Sequence, residues 1–480
     1  MNNTNGDTMT IITENIARLK ELPRERIGMG IIMTVLVLSQ FLSIELFTIS
    51  HVVITFEKIS ALVLYPLAIY LIGFKNIQVK MQLVLFAFLL YSALSLFFFS
   101  SGEFDGKLLA ATMTVAINGM VALLVYSACR TDAYAVRYFF LLWIICAVAS
   151  SLICIAQVYQ ILPIIDSPGY YKGVVRAEGL LDDPNYQAGL LLIGFGALIT
   201  LHNIRFRYVL IGIVLLGLVS TSSRMGFLGY TFLTLISPFF NRGLSEKKHV
   251  MKRFSILIMV ICIMVLLLVL PTRYQIVTER INSTFSAIKS SLVEIVSPET
   301  DEVSYDTQRV SHTAQLVSLN FQRTSSMTQM ISLNTKEKSA SKQPPAPARF
   351  LLDRQAWKGF LEHIKTGIGL GNTVDYMKNS IGKSIRVHNV FLEILLIGGI
   401  AGACFLLYSG FIVIRFMVHC FPFRDDELEE SIFIFVVSFC IIGMFLSLVT
   451  YVLPWIVFVF AQYAYETHND RKILLQGEVL

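Results

Sequence analysis

The sequence predicts an all-α, polytopic membrane fold of about twelve transmembrane helices, with a large external loop between the ninth and the tenth. Two observations carry that prediction. Only 15% of the 480 residues are charged and 55% are hydrophobic, against about 25% charged in an ordinary soluble domain. Apolar runs of roughly 17–25 residues also recur along nearly the whole chain, each long enough to cross about 30 Å of hydrocarbon. The formal charge of +6 comes from Lys and Arg that fall mostly between those runs. There they set orientation, so nucleic-acid binding is a poor reading. The seven cysteines lie in or beside apolar runs and imply no disulfide framework.

In chain order, residues 1–26 form a polar tail with Arg18, Lys20, Arg24 and Arg26. It lacks the short apolar core and cleavage site of a removable signal peptide. The candidate spans are 27–49, 58–74, 81–99, 107–128, 136–158, 185–201, 207–221, 224–240 and 252–271, then 389–416, 431–449 and 452–466. Spans one to nine thus occupy 27–271, an external region occupies 272–388, spans ten to twelve occupy 389–466, and a tail occupies 467–480. Lys75 and Lys80, Arg130 and Arg137, Arg205 and Arg207, the block from Arg242 to Arg253, and Arg415 with Arg424 stand in every second connection. Both termini are therefore expected in the cytoplasm, and the alternate connections, including 159–184, the turn near Thr221 and 272–388, outside. The long run 389–416 also admits a half-helix followed by a full span.

The external region is too long for a simple connection. Its middle, about 297–348, is rich in Ser, Thr, Gln and Lys and ends in KQPPAPA, the composition of a flexible linker. Beyond it, Phe350, Trp357, Phe360, Leu361 and Ile364 recur at helical spacing, which predicts an amphipathic helix with these residues on one face. Arg354 falls close to that stripe, where a charge needs a partner or a ligand.

Three outward features carry polar chemistry. The stretch RAEGLLDDPNYQAG holds Arg176, Glu178, Asp182, Asp183 and Asn185 against the start of a span, and Asn185 is placed to cap that helix. The bland alternative is a turn and a capped helix start with no further role. TSSRMG puts Arg224 in a turn between two apolar runs. A snorkelling arginine is the plain alternative there, although charge at such depth is costly enough to suggest function. The third feature runs from Arg354 through TGIGLG to RVHNVFLEILLIGGIAG, setting His388 and Asn389 at the start of a long span. The glycines lack a preceding strand and the spacing of a dinucleotide loop. No second His, Cys or carboxylate stands at ligand spacing from His388, so neither a metal nor another cofactor is expected. His388 can accept a proton near neutral pH, and arginines on separate segments can grip a phosphate with two-pronged hydrogen bonds.

In their order on a many-span chain, RAEGLLDDPNYQAG, TSSRMG, RFLLDRQAWKG with TGIGLG, and HNVFLEILLIGGIAG resemble the O-antigen ligase and polysaccharide polymerase superfamily. The resemblance is best from about residue 170 to 450. It implies a multi-pass enzyme of the bacterial cytoplasmic membrane that transfers saccharide from undecaprenyl diphosphate to an acceptor hydroxyl on the outer face, without metal or nucleotide sugar. Carried over by position, the essential histidine would be His388 followed by Asn389, and the arginines would be Arg224 and Arg354, with Arg176 matching less securely. Glu178, Asp183 and Asn185 would support them. His388 would act as base on the acceptor hydroxyl while the arginines neutralise the departing diphosphate, in one inverting displacement. A polymerase of surface polysaccharide is the leading expectation, a ligase attaching polysaccharide to lipid A core or another anchor the second, and a transporter of the same lipid-linked sugar the third. The partners implied are the lipid-linked donor, a saccharide acceptor, the bilayer, and a flippase and chain-length regulator of the same pathway.

Overall fold

A computed structural model describes residues 23–42, 45–49, 52–73, 77, 83–99, 106–132, 134–163, 176–181, 183–236, 346–382, 384–420, 427–448, 451 and 453–477. The expected span 252–271, the linker 297–348 up to residue 345, and Asp182 lie outside them.

Helices form where the apolar runs predict them. They are α1 (Arg24–Phe41), α2 (Phe56–Ile72), α3 (Leu83–Phe99), α4 (Gly106–Thr131), α5 (Tyr134–Val158), α6 (Pro184–Thr200), α7 (Arg207–Ser220) and α8 (Arg224–Ile236). After the insert come α9 (Ala346–Glu362), α10 (Thr373–Ile381), α11 (Val390–Cys420), α12 (Glu427–Gly443) and α13 (Leu453–Gly477). The first expected span is corrected: its helix stops at Phe41, and strands β1 (Glu45–Ile49) and β2 (Val52–Thr55) follow as an antiparallel hairpin with Ile49 opposite Val52. Ile49, Val52, Val53, Ile54 and Thr55 are β-branched, and such residues favour an extended chain. The fold is therefore helical apart from one short hairpin among the described residues.

Two helices, Tyr134–Val158 and Val390–Val418, are long and apolar enough by length and composition to cross a membrane among the described residues. Their exposed faces are apolar too. On α5 the outward row is Tyr138, Leu141, Ile145 and Leu152, and on α11 it is Ile400, Leu407, Phe411, Ile414 and Val418. Buried positions, by contrast, include Ser150, Gln157, Gln187 and Asn185. Apolar rows outside and hydrogen-bonded polar groups inside suit lipid surroundings rather than water. The interior is aromatic where α5, α12 and α13 meet: Phe139 packs edge-on to Phe435 and Phe460 at centroid distances of 5.7 and 4.8 Å.

One end of the bundle is laced with charge. Arg26 pairs with Asp132 and Arg130 with Asp470, each at 2.8 Å. Arg415 donates to the Tyr465 hydroxyl, and Tyr126 donates to Glu466. These residues join the start of α1, the α4–α5 connection and the late turns of α11 and α13. The candidate site lies at the opposite end.

Candidate active site

The long helix α11 is broken, as the alternative reading of 389–416 allowed. Gly399 has φ 55° and ψ −131°, far from helical values. A break strands backbone carbonyls and N–H groups, each costing about 1–3 kcal/mol if buried without a partner. The glycine loop after α9 satisfies them. Ile368 N–H donates to the Leu396 carbonyl at 2.9 Å, Gly369 N–H donates to Ile397 at 3.0 Å, and Ile400 N–H donates back to Ile364 at 2.6 Å. Leu370 N–H reaches the Ser92 carbonyl on α3 at 3.0 Å. So close an approach requires bare backbone: Gly367 has φ +67°, and a Cβ there would stand 2.0 Å from the Ile397 oxygen. The TGIGLG motif is thus a splice between the segment that follows α9 and the long apolar helix α11.

The splice orders the stretch that carries His388. Leu352 and Ala356 of α9, Ile368 of the loop, Met377 of α10, Val387 just ahead of α11, and Leu396 within α11 form one buried cluster. Val387 is fully buried in it immediately before His388, and Asn389 follows as the cap of α11. Asn389 Oδ1 accepts from the Phe391 and Leu392 N–H groups at 3.0 and 3.2 Å. The half-buried imidazole therefore stands on a backbone fixed on both sides.

Helix α9 forms where the spacing predicts, but Phe360 parts from the other members of its stripe. The buried face carries Leu352, Ala356 and Phe360, while Phe350, Trp357, Leu361 and Ile364 are exposed, and Arg354 is exposed with them. Exposed Arg354 does not carry the cost of a buried charge.

A second cluster forms around Arg176, which is only 6% exposed. Its Nε donates to the Thr221 carbonyl at 3.2 Å and its Nη2 to Asn185 Oδ1 at 3.0 Å. Ser223 Oγ donates to the same Asn185 oxygen at 3.0 Å, and Ala177 N–H donates to the Ser220 carbonyl at 3.1 Å. The expected cap is corrected here: Asp183 caps α6, its Oδ1 accepting from Asn185 N–H at 2.7 Å, which leaves the Asn185 side chain for the cluster. Gln157 of α5 grips the turn from below, accepting from the N–H groups of Glu178 and Gly179 at 3.1 and 2.9 Å and donating to the Gly179 carbonyl at 2.7 Å. Glu178 is buried in that turn. Arg176 thereby ties the start of α6 to the α7–α8 turn, and half-buried Arg224 opens α8 directly after Ser223.

The two clusters share one end of the bundle because adjacent residues of α12 touch both. A Cβ on Gly189, in α6 one turn beyond Asn185, would meet Ile442 at 3.2 Å. One on Gly443 would meet Val390, two residues after His388, at 2.7 Å. Tyr186 and Tyr451 pack at a tilt across the same end with centroids 4.9 Å apart, and Ser447 Oγ donates to the buried Glu393 carboxylate, its oxygens at 2.9 and 2.8 Å. Thr221, Ser223, Gln157 and Glu393 were missed from the sequence. Ser223 could have been found beside Arg224, and Gln157 and Glu393 as polar residues in apolar helices.

Residues 208–407 match the family model described as O-antigen ligase. The match takes in Arg224, Arg354, His388 and Asn389 and begins after Arg176, Glu178, Asp183 and Asn185. No curated protein matches the chain.

Proposed function

From the premise that the chain carries an O-antigen ligase family domain over residues 208–407, we propose that it is a membrane glycosyltransferase taking its saccharide from undecaprenyl diphosphate. The observation that carries the proposal is the sharing of one bundle end by a fixed, half-buried histidine and the turn that presents Arg224.

In the proposed step, the acceptor hydroxyl oxygen attacks the anomeric carbon and His388 takes its proton. The bond from that carbon to the diphosphate oxygen breaks, the carbon inverts, and undecaprenyl diphosphate leaves. Arg224 and Arg354 neutralise the charge growing on it, so neither metal nor nucleotide sugar is needed. Arg176 is assigned a positioning role, since two of its donors already hold Thr221 and Asn185. Glu178 and Asp183 serve the turn and the cap. Polymerisation of a surface polysaccharide is the leading reading, with a flippase and a chain-length regulator as pathway partners. Ligation to lipid A core or another anchor is the second, favoured by the description of the matched family. Supplying purified protein with lipid-linked repeats, with and without a separate acceptor, distinguishes them: polymer from repeats alone supports the first, and product only with the acceptor supports the second.

Arg224→Lys and Arg354→Lys keep the charge but lose the guanidinium fork. Each is expected to lower transfer about tenfold or more while the protein accumulates normally. Near-normal turnover in both would return these arginines to a general-field role.

The proposal also places the site end outside the cytoplasm. In a cysteine-free protein, Ser384→Cys at the site end should react with an impermeant thiol reagent on intact cells, whereas Asn203→Cys in the α6–α7 connection should not. Both positions are exposed. The opposite labelling pattern would invert the orientation.

A further inference from the structure

Helix α9 shows an apolar stripe to its surroundings although its opposite face is packed. Phe350, Trp357, Leu361 and Ile364 are 53%, 47%, 52% and 43% exposed, while Leu352 and Ala356 on the reverse side are 2% and 0% exposed. The helix cannot be a span, because Arg349, Asp353, Arg354, Lys358 and Glu362 punctuate it.

What covers the stripe is indicated by where it ends. Ile364 accepts a hydrogen bond from Ile400 at the α11 break. Ile400 is 57% exposed and heads the outward row of Leu407, Phe411, Ile414 and Val418 on a helix long and apolar enough to cross a membrane. The apolar stripe of α9 therefore continues the lipid-facing row of α11. Its end is also tied to α3, where the Tyr91 hydroxyl donates to the Lys365 carbonyl at 3.1 Å. At 100° per residue, Arg354 and Lys358 fall along one edge of the stripe, Lys358 paired with Glu362 at 3.6 Å, and Lys365 follows just beyond the helix end; all three cations are exposed. An apolar stripe edged by cations, with a tryptophan in it, is the pattern of a helix lying in a membrane surface that contains anionic lipid.

We propose that α9 is seated in the lipid surface at the site end of the bundle, its stripe among the upper acyl carbons and its basic edge at the phosphates. Resting on the glycosyltransferase reading, the seat also explains why Arg354 stands where it does. It holds the guanidinium at the depth of lipid phosphates, where the diphosphate of a lipid-linked donor must lie.

Trp357 reports directly. The chain has three tryptophans, and the other two, Trp143 and Trp455, are 0% and 1% exposed. The full chain is reconstituted in phosphatidylcholine–phosphatidylglycerol vesicles carrying lipids brominated at shallow or deep acyl positions. The emission that Trp357→Phe removes is then compared. That component should be quenched more by the shallow than by the deep bromines and shielded from aqueous iodide. Quenching by iodide without quenching by brominated lipid would overturn the proposal. So would shielding from both, the result expected if another part of this chain or a second copy covers the stripe. Transfer activity is measured on the same vesicles. Shallow quenching in an inactive protein would leave the seat standing and count against the glycosyltransferase reading alone.

Discussion

His388→Ala is expected to accumulate in the membrane at the wild-type level, bind the lipid diphosphate, and slow glycosyl transfer by about 10²- to 10⁴-fold, the usual cost of removing a general base. The fold supports the separation of activity from stability. The backbone at His388 is held by buried Val387 and by the Asn389 cap, neither of which needs the imidazole. The wild-type rate should rise with pH as the ring loses its proton, because only the neutral ring can accept the hydroxyl proton, and the mutant should lose that rise. Quantifying membrane-inserted protein beside turnover checks both halves. A well-folded His388→Ala that transfers at the wild-type rate would remove the base role from His388.

Gly367→Ala should fail differently, by losing the fold of the site end. The new Cβ would stand 2.0 Å from the Ile397 oxygen and 2.7 Å from the Gly399 nitrogen, both backbone atoms that no rotamer change can clear. Separating the loop from the break would forfeit the Ile368–Leu396 and Gly369–Ile397 hydrogen bonds. Two carbonyls left bare cost about 1–3 kcal/mol each, and a left-handed alanine adds about 1–2 kcal/mol. Together these are a large part of the roughly 5–15 kcal/mol that holds an ordinary protein folded. Gly371→Ala is the internal control, since Gly371 also has positive φ but nothing lies within 4 Å of its added Cβ. Thermal melting in detergent should show a large drop for Gly367→Ala and a small one for Gly371→Ala. Equal melting of the two would show that the splice contributes little.

Much of this architecture is legible in the sequence because hydrophobic run length reports directly on the hydrocarbon thickness a helix must cross. The helices from α2 to α8 and α11 fall close to their runs, whereas α12 stops at Gly443, short of the expected 449, and α13 continues past the expected 466 to Gly477. The glycines of GGIAG foreshadow the break at Gly399. The hairpin at 45–55 escaped because an apolar, β-branched run has the same hydropathy whether extended or helical. The α6 cap was misplaced by two residues because Asp183 and Asn185 are both good caps, and the choice depends on Arg176 and Ser223, partners that only folding brings to Asn185. On α9 the period groups Phe350, Trp357 and Leu361 on one face, but which residues are covered depends on neighbours that the period does not report. The same nonlocality hid the part played by Gln157, whose partners at Glu178 and Gly179 belong to a different segment.

The central claim is tested most directly by the fate of the donor. Purified protein in sealed vesicles is given undecaprenyl-diphosphate-linked saccharide with a saccharide acceptor, and both halves of the donor are followed. The account predicts a new glycosidic bond of inverted anomeric configuration, formed one-for-one with released undecaprenyl diphosphate. Lipid-linked saccharide that crosses the bilayer intact, with no new bond and no released diphosphate, would contradict it and identify a transporter instead.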